Sequence, residues 1–253
     1  MQISGFYKVY MILRHYHCWT TLTEYFKDYN LQVDVVTTRV CIYTEQLEKI
    51  VLIKASSGRG IFSFLKEFRR SDGGKCVLRI VPLNKHKNLI LSIIRMKYRE
   101  SIDSLLYEYP IIMQREYIYN GFEYWLLVIP SKMIIKDLES SIKNVALIKK
   151  LKIGTISPCE LLAHFGKSEI LTSKEKEIML LSYYNGILDW SRRESLNNFS
   201  QMLKISKPVV LEHLRKGLKK IVEANIYMNY FDYQISWSEK LGFHNYPELN
   251  NVD

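Results

Sequence analysis

The feature that most constrains this chain is an order of elements that occurs twice. Phe6–Arg14 alternates apolar and polar residues as a half-buried strand does, and residues 21–29 follow as a short helix. Thr21 and Glu24 stand at capping-box spacing at the start of that helix. Residues 32–43 and 48–55 read as two strands joined around Thr44–Leu47. Residues 59–70 read as a helix stopped by Ser71-Asp72-Gly73-Gly74, and residues 75–83 as a closing strand.

From Asn88 the order repeats. Residues 89–97 are strand-like, and residues 99–109 are helical up to the break at Pro110. Residues 111–119 and 122–130 flank Asn120–Gly121, the dipeptide that best fits a two-residue hairpin turn. Residues 131–144 form the next helix and 146–156 the last strand. Strand-helix-strand-strand-helix-strand is the ferredoxin-like unit, so residues 1–84 and 85–157 are expected to be two such units in tandem.

The grammar changes after a linker over residues 158–171. Residues 172–225 read as three helices. In the first, Ile178, Leu180, Leu181 and Tyr184 fall at helical spacings and Gly186 provides the stop. In the second, Leu196, Phe199, Met202 and Leu203 share a face. In the third, Ser206 is placed to cap and Pro208 falls in the first turn, where a missing amide costs little. Val210, Leu214, Gly217 and Ile221 make its inward stripe. Lys207, Val209, Leu211, Glu212, Arg215, Lys216 and Lys219 are turned away from it, and with Ser206 and Pro208 at the helix start they are the candidate DNA-binding residues. A helix with free first turns and basic later turns suits a DNA major groove, with phosphates met by Lys and Arg and base edges by first-turn side chains. The fold class expected is α+β: tandem ferredoxin-like units followed by an all-α helix-turn-helix domain. An aromatic C-terminal extension over 226–253 then packs on the chain or mediates dimerisation.

Residues 171–221 resemble the bacterio-opsin-activator type of archaeal helix-turn-helix regulator. The resemblance rests on L-T-x-x-x-x-E at Leu171, G-x-x-D-W-x-R-R at Gly186 and I-S-K-x-x-V-x-E-H-L-R-K at Ile205. It implies a DNA-binding transcription regulator, with Arg192 and Arg193 near the DNA backbone and the helix from Ser206 in the groove. Where hydroxyl residues are common in that family, this chain has Pro208, Val209 and Leu211. The two apolar side chains among them suit thymine methyl groups. The His-Cys-Trp-Thr stretch ahead of two ferredoxin-like units also resembles archaeal regulators that carry this helix-turn-helix.

A net charge of +10 agrees with an acidic partner, double-stranded DNA first. No apolar run is long enough to cross a bilayer, and Cys18, Cys41, Cys76 and Cys159 form no CxxC pair. A cytoplasmic protein without a membrane partner is expected, acting as a homodimer and meeting the transcription machinery. A phosphate-cradling loop is not supported at residues 56–62, which read as a tight strand-to-helix turn.

One stretch stays open. His15, His17 and Cys18 cluster where the first strand meets the first helix. These are ligands a zinc-like ion accepts, with Cys41, Cys76 and His86 as candidates to complete the set, and a divalent metal or small-molecule effector is one reading. In the other, Trp19 is a core anchor, Cys18 a small buried residue and the histidines a polar rim. A nucleophilic Cys18 lacks any visible group to orient its histidine, so catalysis is not expected.

Overall fold

The computed structural model describes residues 5–16, 18–71, 76–99, 101–157, 161–162, 164–165, 171–191 and 193–222. It divides into two compact units, residues 1–156 and 157–253.

The first unit holds one antiparallel sheet of eight strands: β1 (Phe6–His15), β2 (Gln32–Cys41), β3 (Gln46–Lys54), β4 (Cys76–Pro82), β5 (Leu89–Lys97), β6 (Met113–Tyr119), β7 (Phe122–Ile129) and β8 (Ala146–Ile156). Its order is β4-β5-β3-β2-β6-β7-β1-β8. The element order follows the sequence reading, but the pairing does not keep residues 1–84 and 85–157 side by side. β1 lies between β7 and β8, and β5 lies between β3 and β4. Each half of the sheet thus takes a strand from the other half of the chain. β2 and β6 join the halves over Gln32–Val35, after which β2 kinks and continues against β3 alone.

The side chains follow the exchange. Val9, Met11 and Leu13 of β1 pack with Trp125, Leu127 and Ile129 of β7, under α2 (Ile102–Leu106) and α3 (Met133–Lys143). Ile90, Ile94 and Met96 of β5 pack with Leu47, Val51 and Ile53 of β3 beneath α1 (Gly58–Arg70) and a 3-10 helix over Trp19–Tyr29. Trp19 is the expected core anchor, edge-on to Phe68 with ring centroids 5.3 Å apart. Buried aromatic pairs of this kind stabilise beyond their buried area, by about 0.5–1.5 kcal/mol.

Local expectations fare differently. Asn120 and Gly121 both take positive φ, 51° and 79°, as the two central residues of a twist-matched hairpin turn require. The Gly121 amide donates to Thr23 Oγ1 at 2.9 Å, which seats the hairpin tip on the 3-10 helix. The Thr21–Glu24 capping box is not formed. The helix begins at Trp19, Thr21 Oγ1 donates to the Cys18 carbonyl, and Glu24 pairs with Arg14 at 2.7 Å. The helix before Pro110 is shorter than its periodicity suggests, covering Ile102–Leu106 after the Ser101 N-cap.

In the second unit, α4 (Ser173–Tyr184) opens with a full capping box between Thr172 and Glu175. It closes at Gly186, φ 69°, where the Ile187 amide reaches back to the Ser182 carbonyl at 2.9 Å. α5 (Leu196–Leu203) is capped by Ser195, and α6 spans residues 207–222. Ile178, Phe199, Val210 and Leu214 make the core. Leu180, Tyr184 and Met202, expected to belong to the packed faces, are exposed; each helix here is buried along a narrow stripe only.

Candidate nucleic-acid interface and candidate metal centre

The C-terminal helices present α6 as expected. Val210, Leu214 and Gly217 are buried and Ile221 is half-buried, while Ser206, Lys207, Pro208, Val209, Glu212, Arg215, Lys216 and Lys219 are exposed and Leu211 is half-exposed. A Cβ on Gly217 would stand 2.9 Å from Met179 Cγ, so this glycine sets how closely α6 and α4 approach.

Glu175 holds α6 in place. Its carboxylate accepts the Thr172 amide at 2.8 Å and the Lys220 ammonium at 2.8 and 3.0 Å, tying the start of α4 to the far end of α6. The bond from Lys220, and then that from the Thr172 backbone, hold the Glu175 carboxyl below its ordinary range.

The turn into α6 is made by Lys204, which takes a left-handed φ of 54°, and the Val210 amide donates to the Ser206 carbonyl. Around it lies an open cleft of about 430 Å³ lined by Arg193, Glu194, Ser195, Leu196, Asn197 and Lys207. It combines the N-terminus of α5 with a lysine on the first turn of α6. Arg193 is exposed and bonded through Nε to Asp189 at 2.7 Å, and Lys216 is paired with Glu212 at 2.7 Å. Arg192 lies outside the described residues.

Residues 171–223 match the family model described as HTH DNA binding domain, of the bacterio-opsin-activator type. No curated protein and no solved structure matches the chain. Residues 171–223 of the second unit are therefore a helix-turn-helix domain, and its long outward face is the third helix, α6. Among the described residues no helix is long and apolar enough to cross a membrane.

The first unit holds a second arrangement, on the helix-covered side of the sheet where its two halves meet. His15 at the end of β1, Cys18 at the N-cap of the 3-10 helix and Glu123 on β7 bring one imidazole nitrogen, one sulfur and one carboxylate oxygen within 4.8 Å of one another. His15 and Glu123 are buried and Cys18 is half-buried. His15 Nδ1 is 3.4 Å from Glu123 Oε1, which also accepts Thr20 Oγ1 at 3.0 Å; Glu123 Oε2 accepts Trp125 Nε1 at 3.0 Å. Burial opposes a charged imidazole here, but hydrogen bonds to Cys18 and Glu123 outweigh it and push His15 up to about 10. Burial likewise opposes the Glu123 carboxylate, and the bond from His15 outweighs it, holding Glu123 below its ordinary range.

His17 lies outside the described residues. Glu123 joins His15 and Cys18, and Cys41, Cys76 and His86 are not in the group. The sequence reading missed Glu123, although it lies in phase with the inward Trp125, Leu127 and Ile129.

Beside this cluster Lys49 of β3 is 2% exposed, paired with Asp103 of α2 at 2.7 Å and with Glu116 of β6. Its ammonium lies 5.4 Å from the Trp125 ring centroid, so Trp125 touches both groups of charges. One ammonium faces two buried carboxylates, and Asp103 Oδ1 is buried with no hydrogen-bond partner. Burial, reinforced by the negative charges of Asp103 and Glu123 against the pull of Lys49, pushes Glu116 up to about 8. Lys49 itself is held protonated: burial opposes its charge, and the two carboxylates outweigh it. The sequence held a signal for this too. Lys49 shares its strand phase with Leu47, Val51 and Ile53, and Glu116 shares its phase with Ile118.

Proposed function

We propose that this chain is a DNA-binding transcription regulator, with α6 entering the major groove and the eight-stranded unit sensing an effector or mediating assembly. The observation that carries the reading is the helix-turn-helix match over residues 171–223 together with the outward row of α6. In this account Lys207, Arg215, Lys216 and Lys219 neutralise phosphates, and Arg192 and Arg193 meet the backbone beside the cleft at α5. Ser206, Pro208, Val209, Leu211 and Glu212 face base edges. The protein acts as a cytoplasmic regulator of the archaeal type rather than as an enzyme. As a homodimer it meets half-sites spaced about 34 Å apart, or a multiple of that.

For the first unit the strand order supports a specific reading. β4-β5-β3-β2 and β8-β1-β7-β6 are each the strand order of a ferredoxin-like sheet, with the first strands exchanged between the two halves. An effector can change DNA affinity only by binding two arrangements of the protein unequally, and the seam between the halves is where such arrangements differ.

The test is selection of bound sequences from random and genomic DNA fragments. Enrichment of a shared, two-fold-related motif is the expected result, and recovery of unenriched DNA overturns the reading. A second reading, docking on a protein of the transcription machinery, is favoured by one observation: Tyr183, Tyr184 and Trp190 are all exposed on the helix-turn-helix domain. It predicts partner binding without sequence enrichment.

A further inference from the structure

We propose that His15, Cys18 and Glu123 form a binding site for a divalent transition-metal ion of the zinc class. The inference deepens the effector-sensing part of the proposed function by naming the effector's chemistry.

Three kinds of donor converge from three elements that the chain reaches separately. His15 ends β1, Cys18 precedes the 3-10 helix, and Glu123 lies more than a hundred residues later on β7. Their ligand atoms lie within 4.8 Å of one another. Tetrahedral zinc, bonded to nitrogen and oxygen at about 2.1 Å and to sulfur at about 2.3 Å, sets neighbouring donors roughly 3.3–3.8 Å apart. The His15–Glu123 separation of 3.4 Å already has that value. The Cys18 side chain needs to close by no more than about 1.5 Å, and it is the most accessible of the three.

The surroundings supply what a ligating carboxylate needs. Thr20 and Trp125 each donate to one Glu123 oxygen and fix the plane of the group. Outer hydrogen bonds of this kind orient ligands and typically change metal affinity by 10–100-fold. An imidazole, a thiolate and a carboxylate favour zinc, cobalt or nickel over calcium or magnesium, which prefer oxygen alone. Three protein ligands and one half-open side are the pattern of a site with an exchangeable fourth position rather than a closed structural centre. Binding draws on the thiolate and the neutral imidazole, so it releases protons.

The position gives such an ion a mechanical role. β1 belongs to the core of one half, and the 3-10 helix that follows it belongs to the core of the other. An ion held by His15, Cys18 and Glu123 ties the chain where it crosses between them.

The experiment is a cobalt(II) titration of the full-length protein, stripped with chelator and free of DNA, followed by absorption. One equivalent giving a sulfur-to-cobalt charge-transfer band is expected. Cys18→Ser should abolish the band, while Cys41→Ser and Cys76→Ser keep it. Thr20→Val, which removes one hydrogen bond to Glu123 and leaves every ligand, should weaken binding roughly 10-fold or more. Circular dichroism of each variant establishes that the sheet is intact. Absence of the band in the wild type, or a band that survives Cys18→Ser, overturns the proposal. Because the titration contains no DNA, its outcome is independent of whether α6 binds DNA.

Discussion

Replacing Lys49 by Met isolates the energetics of the buried seam. Lys49 is 2% exposed and is the ammonium that faces Asp103 and Glu116, themselves 5% and 4% exposed. Methionine fills the volume but leaves the buried Asp103 carboxylate and the Glu116 carboxyl group beside each other with no cation between them. Breaking a buried pair by removing one partner costs about 3–5 kcal/mol, because the remaining charge is uncompensated. The control is Lys143→Met, which breaks the exposed pair with Glu139 on α3 and should cost less than about 1 kcal/mol.

The measurement is urea denaturation of the full chain at pH 7.5, followed by circular dichroism in the strand region. Acid should narrow the difference, since protonation neutralises the stranded carboxylates. The wild type has its own pH dependence. Glu116 is raised from 4.5 to about 8, so between those values the folded state holds a proton that the unfolded state releases. The stability this carboxyl contributes is therefore fully present below pH 4.5 and declines as pH rises towards 8. Glu116→Gln should flatten that decline. A Lys49→Met variant no less stable than Lys143→Met at pH 7.5 would refute the reasoning.

Three further outcomes are expected. Residues 1–84 expressed alone should stay unfolded, because they lack Ile90, Ile94 and Met96 of β5, each contributing about 1.5–3 kcal/mol of burial. Residues 1–157 should give dispersed amide resonances, and a folded 1–84 fragment would contradict the strand exchange. Thr172→Ala, which removes the cap from the Glu175 amide, should cost the helix-turn-helix domain about 1 kcal/mol in thermal unfolding and leave the sheet unaffected. Zinc at a hundred times its dissociation constant should stabilise the first unit by about 2.7 kcal/mol, and Cys18→Ser should remove that gain.

The order of elements was legible because it is written in local periodicity and turn chemistry. Asn120–Gly121, Gly186 and the Val210-Leu214-Gly217 stripe each act within a few residues. Strand partners are not written that way. Val9, Met11 and Leu13 alternate identically whichever core receives them, so the exchange of β1 and β5 had no local signature. The site was half legible for the same reason. His15 and Cys18 are neighbours in sequence, whereas Glu123 joins them only through the pairing of β1 with β7. Charged residues on the inward phase of a strand, such as Lys49, Glu116 and Glu123, were a usable signal, since burying a charge is costly unless a partner is supplied.

The central claim is that α6 grips DNA through its outward basic residues, and the salt dependence of binding tests it most directly. Affinity of the full chain for its selected duplex is measured by fluorescence anisotropy across a salt series, for the wild type and for Lys207→Ala/Arg215→Ala. Each lost phosphate contact should reduce the steepness of log affinity against log salt by about 0.9, so the double variant should be shallower by about 1.8. It should also bind more weakly at every salt concentration. An unchanged slope, with unchanged affinity, would contradict the assignment of α6 to DNA.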